Sequence, residues 1–136
     1  VAPSERRYRV LVVDDNDQLR QSYVRGLRDF CDIVQASDGR EAARILAEDE
    51  AFDVILSDFQ MPGWDGAQLH YHLSRKQPHL VSRILFVTGS PGEPFFGTCD
   101  NMVLMKGGPY GYIGEIIREI AEAHESQEET DPSRPH

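Results

Sequence analysis

Asp14 and Asp15 close the apolar run Tyr8–Val13, and Asp58 closes Asp53–Ser57. Thr88 stands at the end of Arg83–Val87, and Lys106 at the end of Val103–Met105. Taken singly, a carboxylate after such a run is most simply a turn former or a helix cap. Taken together, three carboxylates, a hydroxyl and an ammonium at the ends of consecutive strand-like runs describe one site. Carboxylates brought together repel: two unit charges about 4 Å apart cost roughly 4 kcal/mol at an effective dielectric near 20. Either their pKa values rise or a cation sits between them. With oxygen donors and neither histidine nor cysteine beside them, that cation would be hard, and Mg²⁺ is served by one or two carboxylates plus a phosphate. Lys106 is one of only two lysines against twelve arginines, so it is a poor candidate for a filler cation. A carboxylate nucleophile, a metal, a lysine and a hydroxyl around one tetrahedral group form a phosphoryl-transfer site.

The elements that must position these groups follow from apolar spacing. Short apolar runs, suited to strands buried on both faces, alternate with segments of helical periodicity. Asp17 is the expected N-cap of a first helix carrying Leu19, Tyr23, Val24, Leu27 and Phe30. Asp32–Ala36 is the second strand. Ser37 or Asp38 caps a second helix through Ala42, Ala43, Ile45 and Leu46, and Ala67–Lys76 is a third. Ile113, Ile116, Ile117 and Ile120 form the core stripe of the last helix. Alternating strands and helices imply a doubly wound parallel sheet, in which strand carboxyl ends share one edge and ligands bind there. Between Thr88 and Val103 the glycines and prolines of residues 89–100 allow a loop or at most one turn. The chain is read as an N-terminal extension (1–7), one α/β domain (8–124) and a disordered acidic tail (125–136).

Composition bounds the function. A chain of 136 residues holds one core, and 23 acids against 14 bases give a net charge of −9. No segregated basic patch is evident along the chain, so direct nucleic-acid binding is not expected. No apolar run reaches the length of a membrane span and no signal-peptide pattern opens the chain. Cys31 and Cys99 are too few for a disulfide framework, and a cytoplasmic location is expected. Beginning at Val1, the chain is read as a fragment or a processed form.

Val12-Val13-Asp14-Asp15, then Asp58-Phe-Gln-Met-Pro62 with Asp65-Gly66, then Thr88-Gly89, then Lys106, resemble the receiver domain of two-component response regulators. The resemblance extends over about residues 8 to 124. It implies a flavodoxin-like fold of five strands in the order 2-1-3-4-5, with the fourth helix here shortened or lost. It implies that Asp58 accepts a phosphoryl group from a histidine kinase or phosphotransfer protein. Asp15 and Asp58 would be direct Mg²⁺ ligands, Asp14 one acting largely through water, and Gln60 would lend its backbone carbonyl. Thr88 and Lys106 would meet the phosphoryl oxygens. Activity would be limited to self-catalysed phosphorylation and dephosphorylation, and the output would be altered protein–protein contact through residues 89–100. Three departures bear on that output: the missing fourth helix, Val103 where the family usually places an aromatic switch, and Gly107-Gly108-Pro109 in place of a proline directly after the lysine.

These departures sustain an alternative, an interaction module of the same fold that phosphorylation does not regulate. A Mg²⁺-dependent phosphatase of the haloacid-dehalogenase type would need an acid two residues after its nucleophile, where Gln60 and Asn16 stand. Gln60 and Ser90 are positioned to flank an attacking water and set phosphoaspartate lifetime, unless they are merely solvated. His70 and His72 read as surface histidines, and both cysteines as small buried residues. Arg6 and Arg7 read as solvated terminal residues. Trp64 either reports on the site or packs on its loop. Phe95 and Phe96 either fill the place of the missing helix or form an exposed anchor.

Overall fold

A computed structural model describes residues 6–130. Five strands, β1 (Tyr8–Val13), β2 (Cys31–Ala36), β3 (Val54–Asp58), β4 (Ile84–Thr88) and β5 (Val103–Met105), form one sheet in the order β2-β1-β3-β4-β5. All four pairings are parallel. Helices α1 (Asp17–Leu27), α2 (Gly39–Glu48), α3 (Gly66–Lys76) and α4 (Tyr110–Thr130) cover it. The doubly wound fold and strand order agree with the sequence reading.

Period-two alternation sends each central strand into two cores at once. Val10, Val12, Val54, Leu56, Leu85 and Val87 meet α1 and α4 on one face. Leu11, Val13, Ile55, Ile84 and Phe86 meet α2 and α3 on the other. That double burial explains why the strands read as continuous apolar runs. The register then sets the site: Val13 pairs with Ser57, Asp58 with Val87 and Thr88 with Met105. Residues 14, 58, 88 and 106 therefore emerge at one edge.

Several boundaries move. The N-cap of α1 is Asn16, whose side chain accepts the Leu19 N–H at 3.0 Å, and not Asp17, which pairs with Arg20 instead. Asp38 caps α2 by accepting the Glu41 N–H at 2.9 Å. Asp65 and Gln68 form a reciprocal capping box at the start of α3. Arg83 belongs to a 3-10 segment, Pro78–Arg83, that runs into β4. Between β4 and β5 there is a single 3-10 turn, Pro94–Thr98, begun by a proline whose fixed φ suits that position. The expectation that the fourth crossover helix is reduced holds.

Helix α4 continues to Thr130, past Glu125 where the tail was expected to begin. Residues 1–5 and 131–136, parts of the expected extension and tail, lie outside the described residues. Nor are Arg6 and Arg7 merely solvated. Arg6 pairs with Glu125. Arg7 donates to Asp32 at 2.8 Å and to the carbonyls of Arg28 (2.7 Å), Asp29 (3.0 Å) and Cys31 (2.8 Å), fastening the α1–β2 connection to the entry of β1. Among the described residues, no helix is long and apolar enough to cross a membrane.

Candidate functional site: an acidic cluster and a lysine at the strand ends

Asp14, Asp15 and Asp58 each offer a carboxylate oxygen, and these three atoms lie within 4.8 Å of one another. Asp14 is 1% exposed and Asp58 5% exposed, whereas Asp15 faces solvent. Burial raises the Asp14 carboxyl above the ordinary carboxylate range; the Asn16 N–H, donating at 2.9 Å, opposes this and the nearby Asp58 charge adds to it. Burial likewise raises Asp58, against the opposing pull of Lys106. Two buried acids held above their usual pKa beside a third are a site short of positive charge, with all-oxygen donors.

Lys106 supplies one cation. Its Nζ lies 3.0 Å from Asp58 Oδ2, and its backbone N–H donates to the Thr88 carbonyl at 2.9 Å. The two glycines after it do not carry it away. Gly107 turns the chain with φ of +90°, a conformation that suits glycine, and the lysine side chain stays at the strand end. Thr88 is 1% exposed, and its Oγ1 accepts the Ser90 N–H at 3.0 Å. That bond uses an acceptor lone pair and leaves the hydroxyl hydrogen for an incoming oxygen. The Gln60 N–H lies 3.4 Å from Asp58 Oδ1, so the residue sits at the rim with its side chain exposed.

The sequence-predicted Asp14, Asp15 and Asp58 are brought together, with Lys106 on Asp58. Two residues were missed. Arg20 reaches back from α1, donating to the Asp14 carbonyl at 2.7 Å and to Gln35 at 3.1 Å, and so fixes the backbone of the acidic turn. Its position one helical turn after the Asn16 cap was the available signal. Phe59, next to Asp58, is buried against Phe86, Phe95 and Phe96, with ring centroids 5.7, 5.2 and 4.6 Å away. Phe95 and Phe96 thus fill the place of the absent helix. Val103, at the expected switch position, packs half-buried in the same cluster.

Other expectations change. His70 is no surface histidine: it is half-buried, bonds Asn101 at 3.1 Å and meets the Phe95 ring edge-on at 5.3 Å. Asn101 also donates to the carbonyls of Val81 and Ile84, at 2.7 and 2.9 Å. The Trp64 ring lies on α3, 5.0 Å from the ring of His72. Cys31 is buried and Cys99 half-buried.

Comparison with known proteins agrees with this geometry. The family profile of the response regulator receiver domain matches residues 10–100. The chain belongs to that family. It is 34% identical over 119 residues to the response regulator GacA of Pseudomonas aeruginosa, covering 85% of this chain and 52% of that protein. The chain thus spans about half the length of that relative. It is 45% identical over 65 residues to the sensor protein GacS of Pseudomonas syringae pv. syringae, covering 48% of this chain and 7% of that protein. Among solved structures, a receiver domain from Clostridium thermocellum superposes with a TM-score of 0.78 at 21% identity, over 88% of this chain and 98% of that one. The chemotaxis protein CheY4 of Vibrio cholerae gives 0.73 at 27% identity, over 84% and 98%. This receiver domain is a component of two-component signalling.

Proposed function

We propose that this receiver domain takes a phosphoryl group onto Asp58 from the phosphohistidine of a histidine kinase or phosphotransfer protein, in the cytoplasm, and answers with altered protein–protein contacts. The observation that carries this reading is the cluster of Asp14, Asp15 and Asp58 within 4.8 Å with Lys106 on Asp58. An Asp58 oxygen bonds to phosphorus as the donor's P–N bond breaks, and the imidazole nitrogen keeps the bonding pair and takes up a proton. Lys106 and the Thr88 hydroxyl meet the charge on the phosphoryl oxygens. The charge-deficient, all-oxygen cluster fits Mg²⁺, which Asp15, Asp58 and the Gln60 carbonyl would hold, with Asp14 acting through water. When bound, the ion neutralises the phosphoryl oxygens and the carboxylates that would repel them.

Phe59 supports a route for the output. It follows the acceptor directly and packs at a tilt against Phe95 and Phe96, so a shift at Asp58 is felt in residues 89–100 without an aromatic residue at position 103. Intact mass after incubation with Mg²⁺ and acetyl phosphate tests the acceptor. Gain of one phosphoryl group by the wild type and none by Asp58→Asn is expected; no gain with either acetyl phosphate or a phosphorylated kinase refutes it. Hydrogen exchange of residues 89–100 that does not respond to phosphorylation would refute the route. Val103 favours a second reading, a module that phosphate does not regulate. Under that reading Asp58→Asn binds partners as the wild type does under phosphorylating conditions.

A further inference from the structure

The long outer side of α3 borders a groove of about 480 Å³, and among the described residues no carboxylate lines it. Trp64 and Tyr71 supply its aromatic surface, and Tyr71 is 63% exposed. Arg75 and Lys76 stand at one end. At the other, the Arg40 guanidinium lies over the Trp64 ring, 5.7 Å from its centroid. Arg75 lies over Tyr71 at the same distance. Among the described residues none of these three cations is in a salt bridge. A basic patch absent from the linear sequence is therefore assembled by the packing of α2 beside α3.

The Trp64 wall of the groove is also preformed. The Trp64 carbonyl accepts the Gly39 N–H at 3.2 Å. A Cβ on Gly39 would lie 2.8 Å from that same carbonyl oxygen, so only glycine lets the tryptophan loop approach α2 this closely. Holding an aromatic surface in place before binding removes part of the ordering cost. Trp, Tyr and Arg are also the residue types that dominate interface energetics.

We propose that this groove docks an acidic peptide segment of a partner protein, which lays an apolar side chain between Trp64 and Tyr71 and its carboxylates against Arg40, Arg75 and Lys76. Charge decides the occupant. The molecule as a whole carries −9, but screening over about 8 Å at physiological salt leaves the nearby groups to govern contact, and the carboxylates beside Arg40 and Trp64 in the chain are already bonded locally: Asp38 to the Glu41 N–H, Glu41 to the Ser37 hydroxyl and Asp65 to the Gln68 N–H. A nucleic acid extends a regular line of phosphates well beyond three cations and into the acidic remainder of the surface.

Display selection of random peptides of about twelve residues against the whole chain tests this, followed by titration of selected peptides using Trp64, the sole tryptophan, as the reporter. The expected peptides pair Asp or Glu with an aromatic or aliphatic anchor and shift Trp64 emission saturably. Arg75→Glu with Lys76→Glu should weaken them about tenfold or more, and Tyr71→Ala by a similar factor, with unchanged thermal stability. Selection that yields no acidic enrichment overturns the proposal, as do peptides that bind the charge-reversed protein equally well. Oligothymidylate of similar length binding more tightly than any peptide would overturn it in favour of a nucleic-acid ligand. These measurements use unphosphorylated protein, so they stand apart from the chemistry at Asp58.

Discussion

On the β2–β1–β3 side of the sheet, successive strands are joined through the full helices α1 and α2. On the β4–β5 side the crossover is a 3-10 turn of 5 residues, and β5 has 3 residues, none of them fully buried. The first side carries the carboxylates, on strands paired at both edges or sealed between two cores. Besides the backbone pairing of β4 with β5, the second is held by rings and by one amide side chain: Phe95 and Phe96 on Phe59 and Phe86, and Asn101 across Val81 and Ile84. A charge cluster must be built on rigid backbone to keep mutually repelling groups in place. A responsive surface is drawn from segments with little burial, where local rearrangement is cheap.

The sharpest way to break that contrast is at the residue the two sides share. Phe86 is fully buried and touches Phe59, Phe95 and Phe96. Phe86→Ala should cost about 3–5 kcal/mol in urea unfolding. A cost below about 1 kcal/mol would mean that the rings are not a packed unit. Next comes the edge of the proposed acceptor alone. Lys106→Ala removes the cation 3.0 Å from Asp58 and should slow phosphorylation by acetyl phosphate about 10²-fold with the fold intact, read from the time course of intact mass.

The replacement turn is the counterpart. Phe95→Ala and Phe96→Ala each lose a half-buried ring, for about 1–2 kcal/mol, and should leave the phosphorylation rate within about twofold while exchange protection of 89–100 falls. A rate loss as large as that of Lys106→Ala would show the two sides to be one unit. The smallest effect concerns the cysteines. Burial raises the Cys31 thiol from 9.0 to about 12, so the unfolded chain ionises first as pH climbs. Stability linked to this thiol is complete below 9.0 and is lost as pH rises toward about 12. Iodoacetamide at about pH 8 should label half-buried Cys99 first and Cys31 only on denaturation, checked by peptide mass.

What the amino-acid order determined by itself was local. Apolar runs closed by Asp14, Asp58, Thr88 and Lys106 marked the strands and their ends, and alternation with helical stripes marked the parallel sheet. The prolines and glycines of residues 89–100 already excluded a full helix. Helix caps were legible only to within a residue, because Asn16 and Asp17 are both good cap types and the chain's entry angle chooses between them. Tertiary structure decided whatever joins residues distant in sequence. It set Lys106 on Asp58 despite the glycines, Arg7 on the α1–β2 connection, Arg20 on the Asp14 carbonyl and Phe96 on Phe59. It also assembled the cationic groove from Arg40 on α2 and Arg75 and Lys76 on α3. Periodicity records which face of an element is buried, but not which neighbour a long side chain finds there; that depends on how the elements pack, and only the folded chain specifies it.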